Sequence, residues 1–274
     1  MPPGMTMPGS YDYRLVALSV VIAMSASYVA LDLAGRTTAA QGRPRSLWVL
    51  GGAVSMGVGI WSMHYIGMLA FSLPVPVLYD LPTVVVSLLA AVLASGVALF
   101  VVSRDRLSVG SALAGSLTMG GGVAAMHYLG MAAMRLQGMC RWNYPVVGLS
   151  IAVAVVVSLV ALWLAFRFRT EQRPLAPLKI GSAALMGVAV AAMHYTGMAA
   201  AMFDTSGTRL DLSHAVGIST LGIGGITVVT FMVLTWVSPS ISYKPLPPIT
   251  PMFIFSAFVL RFAILDNSLK PQGT

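Results

Sequence analysis

The segment MGVGIWSMHYIGM at residues 56–68 recurs with few changes as MGGGVAAMHYLGM at 119–131 and as MGVAVAAMHYTGM at 186–198. Each copy places a histidine between a methionine and a tyrosine, and three of the chain's four histidines lie in these copies. The copies start 63 and then 67 residues apart. A period of this length holds two membrane helices and their loops, so the repeated unit is predicted to be a helix pair.

The composition is that of a membrane protein. Of the 274 residues 57% are hydrophobic and 9% are charged, whereas about a quarter of the residues of a soluble domain carry charge. A helix needs about 20 apolar residues to cross the hydrocarbon core. Runs of that length occur at 15–34, 47–72, 81–103, 110–134, 146–166, 180–203 and 215–238. The sequence therefore predicts an all-α bundle of seven transmembrane helices.

These runs define a membrane domain over 10–238, followed by a tail over 239–274. The first run follows an acidic stretch, SYDYR, and lacks a basic leader and a small-residue cleavage site, which predicts a retained helix. The tail begins with a proline-rich linker. Its apolar segment at 252–265 is interrupted by Arg261 and is short for a membrane span, so we expect an interfacial or packed helix there.

The chain has a net charge of +8, and the placement of its basic residues predicts a membrane orientation and argues against nucleic acid binding. The loops after the first, third and fifth runs are rich in basic residues, and the alternate loops hold few. The first group comprises Arg36, Arg43, Arg45, Arg104, Arg106, Arg167, Arg169, Arg173 and Lys179, and the second Arg135, Arg141 and Arg209. Basic loops stay in the cytoplasm, which predicts an outside N-terminus and an inside C-terminus.

The repeat predicts how the helices are arranged. Helices two and three, four and five, and six and seven would form three helix-pair repeats, with the first helix as an extra element. Parallel repeats of this kind suggest pseudo-threefold symmetry about the membrane normal. Because the three motif helices run in the same direction, their histidines are expected at one depth, close to the outer face.

Helical spacing groups the polar and sulfur-bearing side chains of each copy. The methionine four residues after the histidine lies on the same helix face, and the methionines one and eight residues before it lie on a neighbouring face. Glycines seven before and three after the histidine would let the helices approach closely. The predicted metal ligands are Met63, His64, Met68, Met126, His127, Met131, Met193, His194 and Met198, with Tyr65, Tyr128 and Tyr195 as accessory candidates.

Converging imidazole and thioether ligands are a soft donor set, which favours copper and in particular Cu(I). Zinc fits less well, because the chain has no paired cysteines and no acidic residue beside these histidines. Haem accepts histidine and methionine ligands, but a porphyrin would have to fit among closely packed helices. Packing for the methionines and an interfacial belt for the tyrosines remain the alternatives.

Three Met-His-Tyr-x-Gly-Met copies in seven apolar runs resemble the MHYT family of bacterial integral-membrane sensor domains, over roughly 10–238. The resemblance implies that the Met, His and Tyr of each copy bind copper and that the domain senses a diatomic gas such as oxygen, carbon monoxide or nitric oxide. Many members continue into cytoplasmic domains that make or degrade cyclic diguanylate. Only 36 residues follow 238 here, so we expect a sensor that signals through a separate cytoplasmic partner, or a shortened form of a longer protein.

The leading hypothesis is thus a copper-dependent sensor in the lipid of the bacterial inner membrane, with no enzymatic activity of its own. A copper-handling or transport protein is the alternative, and a membrane metalloenzyme is third because no general base is evident. Three residues outside the motif have structural interpretations: ion pairing or capping for Asp32, a free thiol for Cys140 and helix-end capping or loop solvation for His214.

Overall fold

Six long helices form the body of the protein. The computed structural model describes residues 5–171, 176–205, 212–224 and 227. The helices in these ranges are α1 (Tyr13–Ala39), α2 (Gly42–Ala70), α3 (Leu81–Val102), α4 (Val109–Ala132), α5 (Tyr144–Phe168) and α6 (Pro177–Ala199). All six are long and apolar enough to cross a membrane, judged by length and composition. The chain is a multi-pass membrane protein.

The outer faces of the helices are as apolar as their core. Leu93, Leu117 and Trp163 are 71%, 61% and 57% exposed, and many other large apolar side chains also point outwards. A soluble monomer rarely exposes apolar patches of more than a few hundred Å². An apolar outer surface of this kind is typical of a membrane protein.

The helices begin where the sequence supplies capping residues. The side chains of Asp12, Asp80, Ser108 and Asn143 each accept a hydrogen bond from a backbone amide in the first turn of the helix that follows. These bonds satisfy amides that have no partner within the helix. Proline occupies the first turn of α3, α5 and α6, where its missing N–H costs no hydrogen bond.

Short strands cover one end of the bundle, and together they are named the strand cap. They are β1 (Ser10–Tyr11), β2 (Phe71–Ser72), β3 (Val77–Asp80), β4 (Met134–Leu136), β5 (Met139–Trp142), β6 (Ala201–Asp204) and β7 (Ala215–Gly217). The antiparallel pairs are β1 with β2, β3 with β4, and β5 with β6, and β7 adds to the other side of β3. Each of the three main pairs joins the segment before an odd-numbered helix to the segment after the next helix. The repeated unit is strand, helix, helix, strand.

This arrangement corrects the predicted helix pairing. Each helix packs on its neighbours in chain order, and α1 closes the ring by packing on α6. Glycines of the motif helices make equivalent contacts around the ring, with Gly57 against Val92 of α3 and Gly120 against Val155 of α5. The third contact joins Gly187 to α1 at Met24. The first helix is therefore not an extra element: α1 belongs to the first strand–helix–helix–strand unit with α2, and its contact with α6 joins that unit to the third.

The predicted ends of the motif runs also need correction. The runs 47–72, 110–134 and 180–203 were placed two to four residues too far, because apolar residues continue into the strand cap after each helix ends. The fold is accordingly helical with short strands at one end. Hydropathy does not distinguish an apolar strand from the last turn of a helix.

The seventh apolar run, predicted as a helix over 215–238, begins with a strand and lies mostly outside the described residues. Residues 215–217 form strand β7, and residues 218–224 are helical. The rest of the run to 238, apart from residue 227, and the tail with its apolar segment at 252–265, lie outside the described residues. The count of seven helices and the boundary at 238 stay predictions.

Basic side chains gather at the end of the bundle opposite the strand cap. Arg45 donates to the backbone carbonyl of Ser103 at 3.0 Å, and Arg169 donates to that of Val102 at 2.8 Å. Both carbonyls lie at the C-terminus of α3, where positive charge offsets the helix dipole. In the same region Asp32 pairs with Arg36 at 2.7 Å, as predicted, and also with Lys179 of α6 at 2.9 Å.

Candidate metal centre

The three motif histidines meet on the axis of the bundle. His64, His127 and His194 lie five or six residues before the C-terminal ends of α2, α4 and α6, next to the strand cap. Their exposed fractions are 0%, 0% and 1%. A buried imidazole without a polar partner is costly, so burial of three at one point requires a compensating interaction.

One ring nitrogen of each histidine faces the axis, and we name this group the His triad. The Nδ1 atom of His64 lies 3.1 Å from that of His194 and 3.2 Å from that of His127. The third Nδ1–Nδ1 distance, between His127 and His194, is 3.2 Å. The three ring planes are nearly perpendicular to one another, with interplanar angles of 83° to 89°. Among the residues that the structure describes, these three histidines form the group of histidine, cysteine or acidic residues close enough together to bind one metal ion.

The His triad has close to the dimensions of a metal site. Nitrogens 3.1–3.2 Å apart leave the centre of their triangle about 1.8 Å from each one, near the metal–nitrogen distance of about 2.0 Å. Each neutral imidazole brings either a lone pair or one N–H to the same point, and one inward N–H can donate to the lone pairs of its neighbours. Two inward hydrogens would collide, so at least two of the three nitrogens present lone pairs to the axis. A cation at the centre would satisfy all three nitrogens.

Glycines of the neighbouring repeats hold the opposite edges of the rings. A Cβ atom on Gly130 would overlap Nε2 of His64. The same relation holds for Gly197 with His127 and for Gly67 with His194, so each ring sits in a glycine cradle of the next repeat. Among the described residues, the buried Nε2 atoms have no hydrogen-bond partner. The sequence predicted only a role in helix approach for these glycines, although their constant offset of three residues after each histidine could have indicated the cradle.

The predicted methionine ligands are all buried, and they lie in apolar clusters around the His triad. Met68, Met131 and Met198 belong to one cluster beneath the strand cap, with Tyr79. The methionines that precede the histidines, Met63, Met126 and Met193, are at most 1% exposed. Met63 packs with Ile22, Ala23 and Ile66, and Met193 belongs to the axial core of the helices. The structure thus brings the histidines together and surrounds them with thioethers, and coordination by sulfur stays a prediction.

The motif tyrosines point away from the axis towards serines of the odd-numbered helices. The hydroxyl of Tyr128 lies 2.5 Å from Oγ of Ser150, and that of Tyr195 lies 2.8 Å from Oγ of Ser19. Each serine hydroxyl already donates to the carbonyl three residues earlier in its helix. The tyrosine must therefore be the donor.

The equivalent position in the first repeat differs in detail. Ser87 of α3 faces Tyr65, and its hydroxyl oxygen accepts from the indole of Trp61 at 3.2 Å. These serines were not predicted from the sequence. Ser150 follows Ser87 by 63 residues, the same interval as between the first two motif histidines, and this repeat was the available signal.

The strand cap carries its own ion pairs, outside the His triad. Arg135 lies 3.4 Å from Asp80, and Arg141 lies 2.6 Å from Asp204. Hydrogen bonds from the hydroxyl and the amide of Thr83, with Arg135 and His214 nearby, hold the pKa of Asp80 below its usual range. These pairs neutralise two of the three arginines predicted for loops at this end, and the third, Arg209, lies outside the described residues.

Cys140 and His214 also belong to the strand cap region. Cys140 lies in β5 opposite Phe203, and burial raises the pKa of its thiol to about 11. The backbone carbonyl of His214 accepts from the amide of Leu81 at 3.0 Å, and its side chain is exposed. Neither side chain is part of the His triad.

Comparison with known proteins gives one family. The profile of the MHYT family, described as a bacterial signalling protein N-terminal repeat, matches residues 3–49, 57–115 and 120–177, more than half of the chain. No solved structure matches the chain.

Three relatives have informative names, two as enzymes of cyclic di-GMP metabolism and one as a signalling protein. The bifunctional diguanylate cyclase/cyclic di-GMP phosphodiesterase MucR of Pseudomonas aeruginosa is 50% identical over 194 residues, 71% of this chain and 28% of the relative. The cyclic di-GMP phosphodiesterase NbdA of the same species is 38% identical over 218 residues, 78% of this chain and 27% of NbdA. The signaling protein YkoW of Bacillus subtilis is 36% identical over 196 residues, 71% of this chain and 24% of YkoW. The match thus spans about a quarter of each relative's length, and the chain belongs to the MHYT family of bacterial signalling protein repeats.

Proposed function

We propose that the chain is a membrane sensor that binds copper through His64, His127 and His194 and detects a diatomic gas or a change of redox state. The observation that carries the proposal is the His triad itself, three Nδ1 atoms within 3.2 Å of one another in a buried, apolar setting. Ionisable residues at membrane depth are costly and are retained where they serve a function. Oxygen, carbon monoxide and nitric oxide are the candidate gases.

Copper suits the surroundings of the His triad better than other metals. Three neutral imidazoles with thioethers close by favour Cu(I), and no carboxylate is part of the group. Nitrogens this close together leave no space for a porphyrin between them, which argues against haem. Zinc also accepts three histidines, so metal analysis has to decide between copper and zinc.

The residues around the His triad would make the helices respond to its occupant. Copper held by His64, His127 and His194 would supply a one-electron redox couple and the ability to bind a diatomic ligand. The glycine cradles orient the three rings, so a change in the Nδ1 triangle moves α2, α4 and α6 relative to one another. Tyr128 and Tyr195 tie two of these helices to α5 and α1. A ligand shifts this equilibrium only through its different affinity for the two arrangements.

The signal would leave the bundle at the end opposite the strand cap. The basic side chains gathered there support a cytoplasmic location for this end by the positive-inside rule, and the His triad would then lie near the outer face of the bacterial inner membrane. MucR and NbdA are named as enzymes of cyclic di-GMP metabolism. We propose a signalling partner or domain of that kind on the cytoplasmic side, with the membrane domain acting as sensor and not as enzyme.

A copper-handling or transport protein is the second candidate. One observation favours it. Two cavities lie between the helices on the side of the His triad away from the strand cap, and both are lined by Met56, Met119 and Met186. These methionines would continue a path of soft ligands. A transporter would move copper across vesicles into which the protein is inserted. A sensor would bind copper without net flux.

The test of the proposed function is metal analysis of the purified protein. We expect copper in the wild type and its loss in each of His64→Leu, His127→Leu and His194→Leu, because one site needs all three imidazoles. His214→Leu is the matched control and should retain the metal, since this histidine lies outside the His triad. Copper retained in all four variants would refute the site. Zinc in place of copper would refute the copper assignment.

A further inference from the structure

A cavity lies on the bundle axis, on the side of the His triad away from the strand cap. Its volume is about 40 Å³. The side chains around it include those four and eight residues before each histidine: Ile60, Val123, Val190, Met56, Met119 and Met186. At a rise of 1.5 Å per residue these levels lie about 6 and 12 Å from the histidines. We name this space the axial cavity.

The walls of the axial cavity suit a small apolar occupant. Apart from Ser27 and Ser158, every residue that lines it is alanine, valine, isoleucine or methionine. A water molecule needs about two to four polar partners, and apolar cavities that lack them stay dry and take up molecules such as xenon. About 40 Å³ exceeds the space that one water requires. The axial cavity therefore has the size and the chemistry of a site for a single small apolar molecule.

The methionines eight residues before each histidine close this space on its far side, and we name them the methionine layer. Met56, Met119 and Met186 also line a second cavity of about 20 Å³, which lies towards the basic end of the bundle. Each of the three side chains is 6–8% exposed. Their flexible, polarizable side chains adapt to an occupant at little cost.

The other side of the His triad is built differently. There Met68, Met131 and Met198 pack with Tyr79 beneath the strand cap, and all four are at most 4% exposed. A larger and more open pocket of about 520 Å³ borders this cluster, with Tyr195 and Met198 in its lining. The axial cavity is the smaller and more enclosed of these two spaces, which suits a single small molecule.

We infer that the axial cavity is a binding site for a small apolar molecule of diatomic size, held between the His triad and the methionine layer. The inference deepens the proposed function, because it places the gas within about two helical turns of the metal ligands. The inference rests on the proposed function only where it assumes that the molecule in the cavity reaches the copper. The occupancy of the cavity by an apolar probe does not depend on copper.

Xenon binding to the metal-free protein in lipid nanodiscs tests the inference. With 13C-labelled methionine methyl groups, we expect saturable xenon-dependent NMR shifts at Met56, Met119 and Met186, and none at the exposed Met139. Val123→Leu adds a methylene to the cavity wall and should weaken xenon binding at least about tenfold. Val123→Ala enlarges the cavity and should increase the shifts. Val29→Leu is the matched control, since Val29 is 1% exposed and does not line the cavity.

The outcomes separate this inference from the proposed function. Absence of saturable shifts in the wild type, or equal binding in Val123→Leu and wild type, would overturn the axial cavity as a ligand site. Should the leucine variant not fold, the alanine variant decides, and unchanged shifts there would also overturn it. Xenon binding, together with the absence of copper from the wild-type protein as purified, would support the cavity and refute the metal centre. Copper in the purified wild type, together with no xenon binding, would support the metal centre and overturn the cavity as a ligand site.

Discussion

The glycine cradles make a prediction that joins packing to metal binding. In Gly130→Ala the new Cβ would overlap Nε2 of His64. Ordinary contact needs about 3.5 Å, so the ring has to move by about 1 Å. Metal sites tolerate errors of about 0.2 Å in ligand distance. The displaced Nδ1 therefore leaves the His triad, and copper affinity should fall by about 10- to 100-fold, as for other changes that disturb ligand orientation.

The effect of Gly130→Ala on stability follows from two opposing terms. Alanine in a helix is favoured over glycine by about 0.5–1 kcal/mol. Overpacking against a buried ring costs about 1–3 kcal/mol. Since the neighbouring atom belongs to a ring enclosed on all sides, we expect the overpacking cost to prevail by about 1 kcal/mol.

Competition with a Cu(I) chelator and thermal unfolding in detergent measure the two effects. Gly121→Ala is the matched control. Gly121 lies in the same helix as Gly130, but a Cβ atom there would meet nothing within 4 Å. It should bind copper like the wild type and be equally or more stable. Gly67→Ala and Gly197→Ala should reproduce the loss, since they face His194 and His127. If Gly130→Ala binds copper as tightly as the wild type, the cradle does not set the metal ligands and the reasoning fails.

Three further predictions concern other parts of the bundle. Tyr128→Phe removes the hydrogen bond that ties α4 to Ser150, and should lower the free energy of unfolding by about 1 kcal/mol. Cys140 should react slowly with maleimide at neutral pH, and its rate should rise with pH up to about 11, because only the thiolate reacts. Lys179→Met leaves Asp32 with Arg36 as its cationic partner, and should lower the free energy of unfolding by about 2 kcal/mol. This loss is smaller than that expected when a fully buried ion pair is broken, because Asp32 is partly exposed.

Each of these predictions has its own control. Tyr144→Phe removes a hydroxyl from a tyrosine that is 78% exposed, and should leave stability unchanged. Labelling of Cys140 at pH 7 at the rate of a free thiol would contradict the burial argument. The double variant Asp32→Asn with Lys179→Met removes both charges and should recover part of the loss. If it is no more stable than Lys179→Met alone, the ion pair is not the cause.

Much of the fold was predictable because helix formation in a membrane is local. Without water every backbone group must be satisfied within the span, so an apolar run of sufficient length becomes a helix. All six runs that lie within the described residues did so. Their ends were misplaced by a few residues, because the strand cap is built from equally apolar sequence.

The metal centre was predictable in part, and what was missed has a common cause. Helical spacing places His64 and Met68 on one face of α2, but it does not state what that face meets. The glycine cradle of His64 and the serine partner of Tyr128 belong to other helices. The choice of Nδ1 over Nε2 as the inward atom depends on how far each helix is rotated about its own axis.

The amino-acid sequence by itself determined the membrane helices and the common level of the three histidines, since both follow from the length of apolar runs and the position of each motif within its run. Only the tertiary structure decided that α1 packs on α6 to close the ring, that three Nδ1 atoms meet on the axis, and that the thioethers lie in clusters around them. These features depend on the relative rotation and contact of whole helices. Side-chain packing between distant segments sets that rotation, and no periodicity within a single helix contains it.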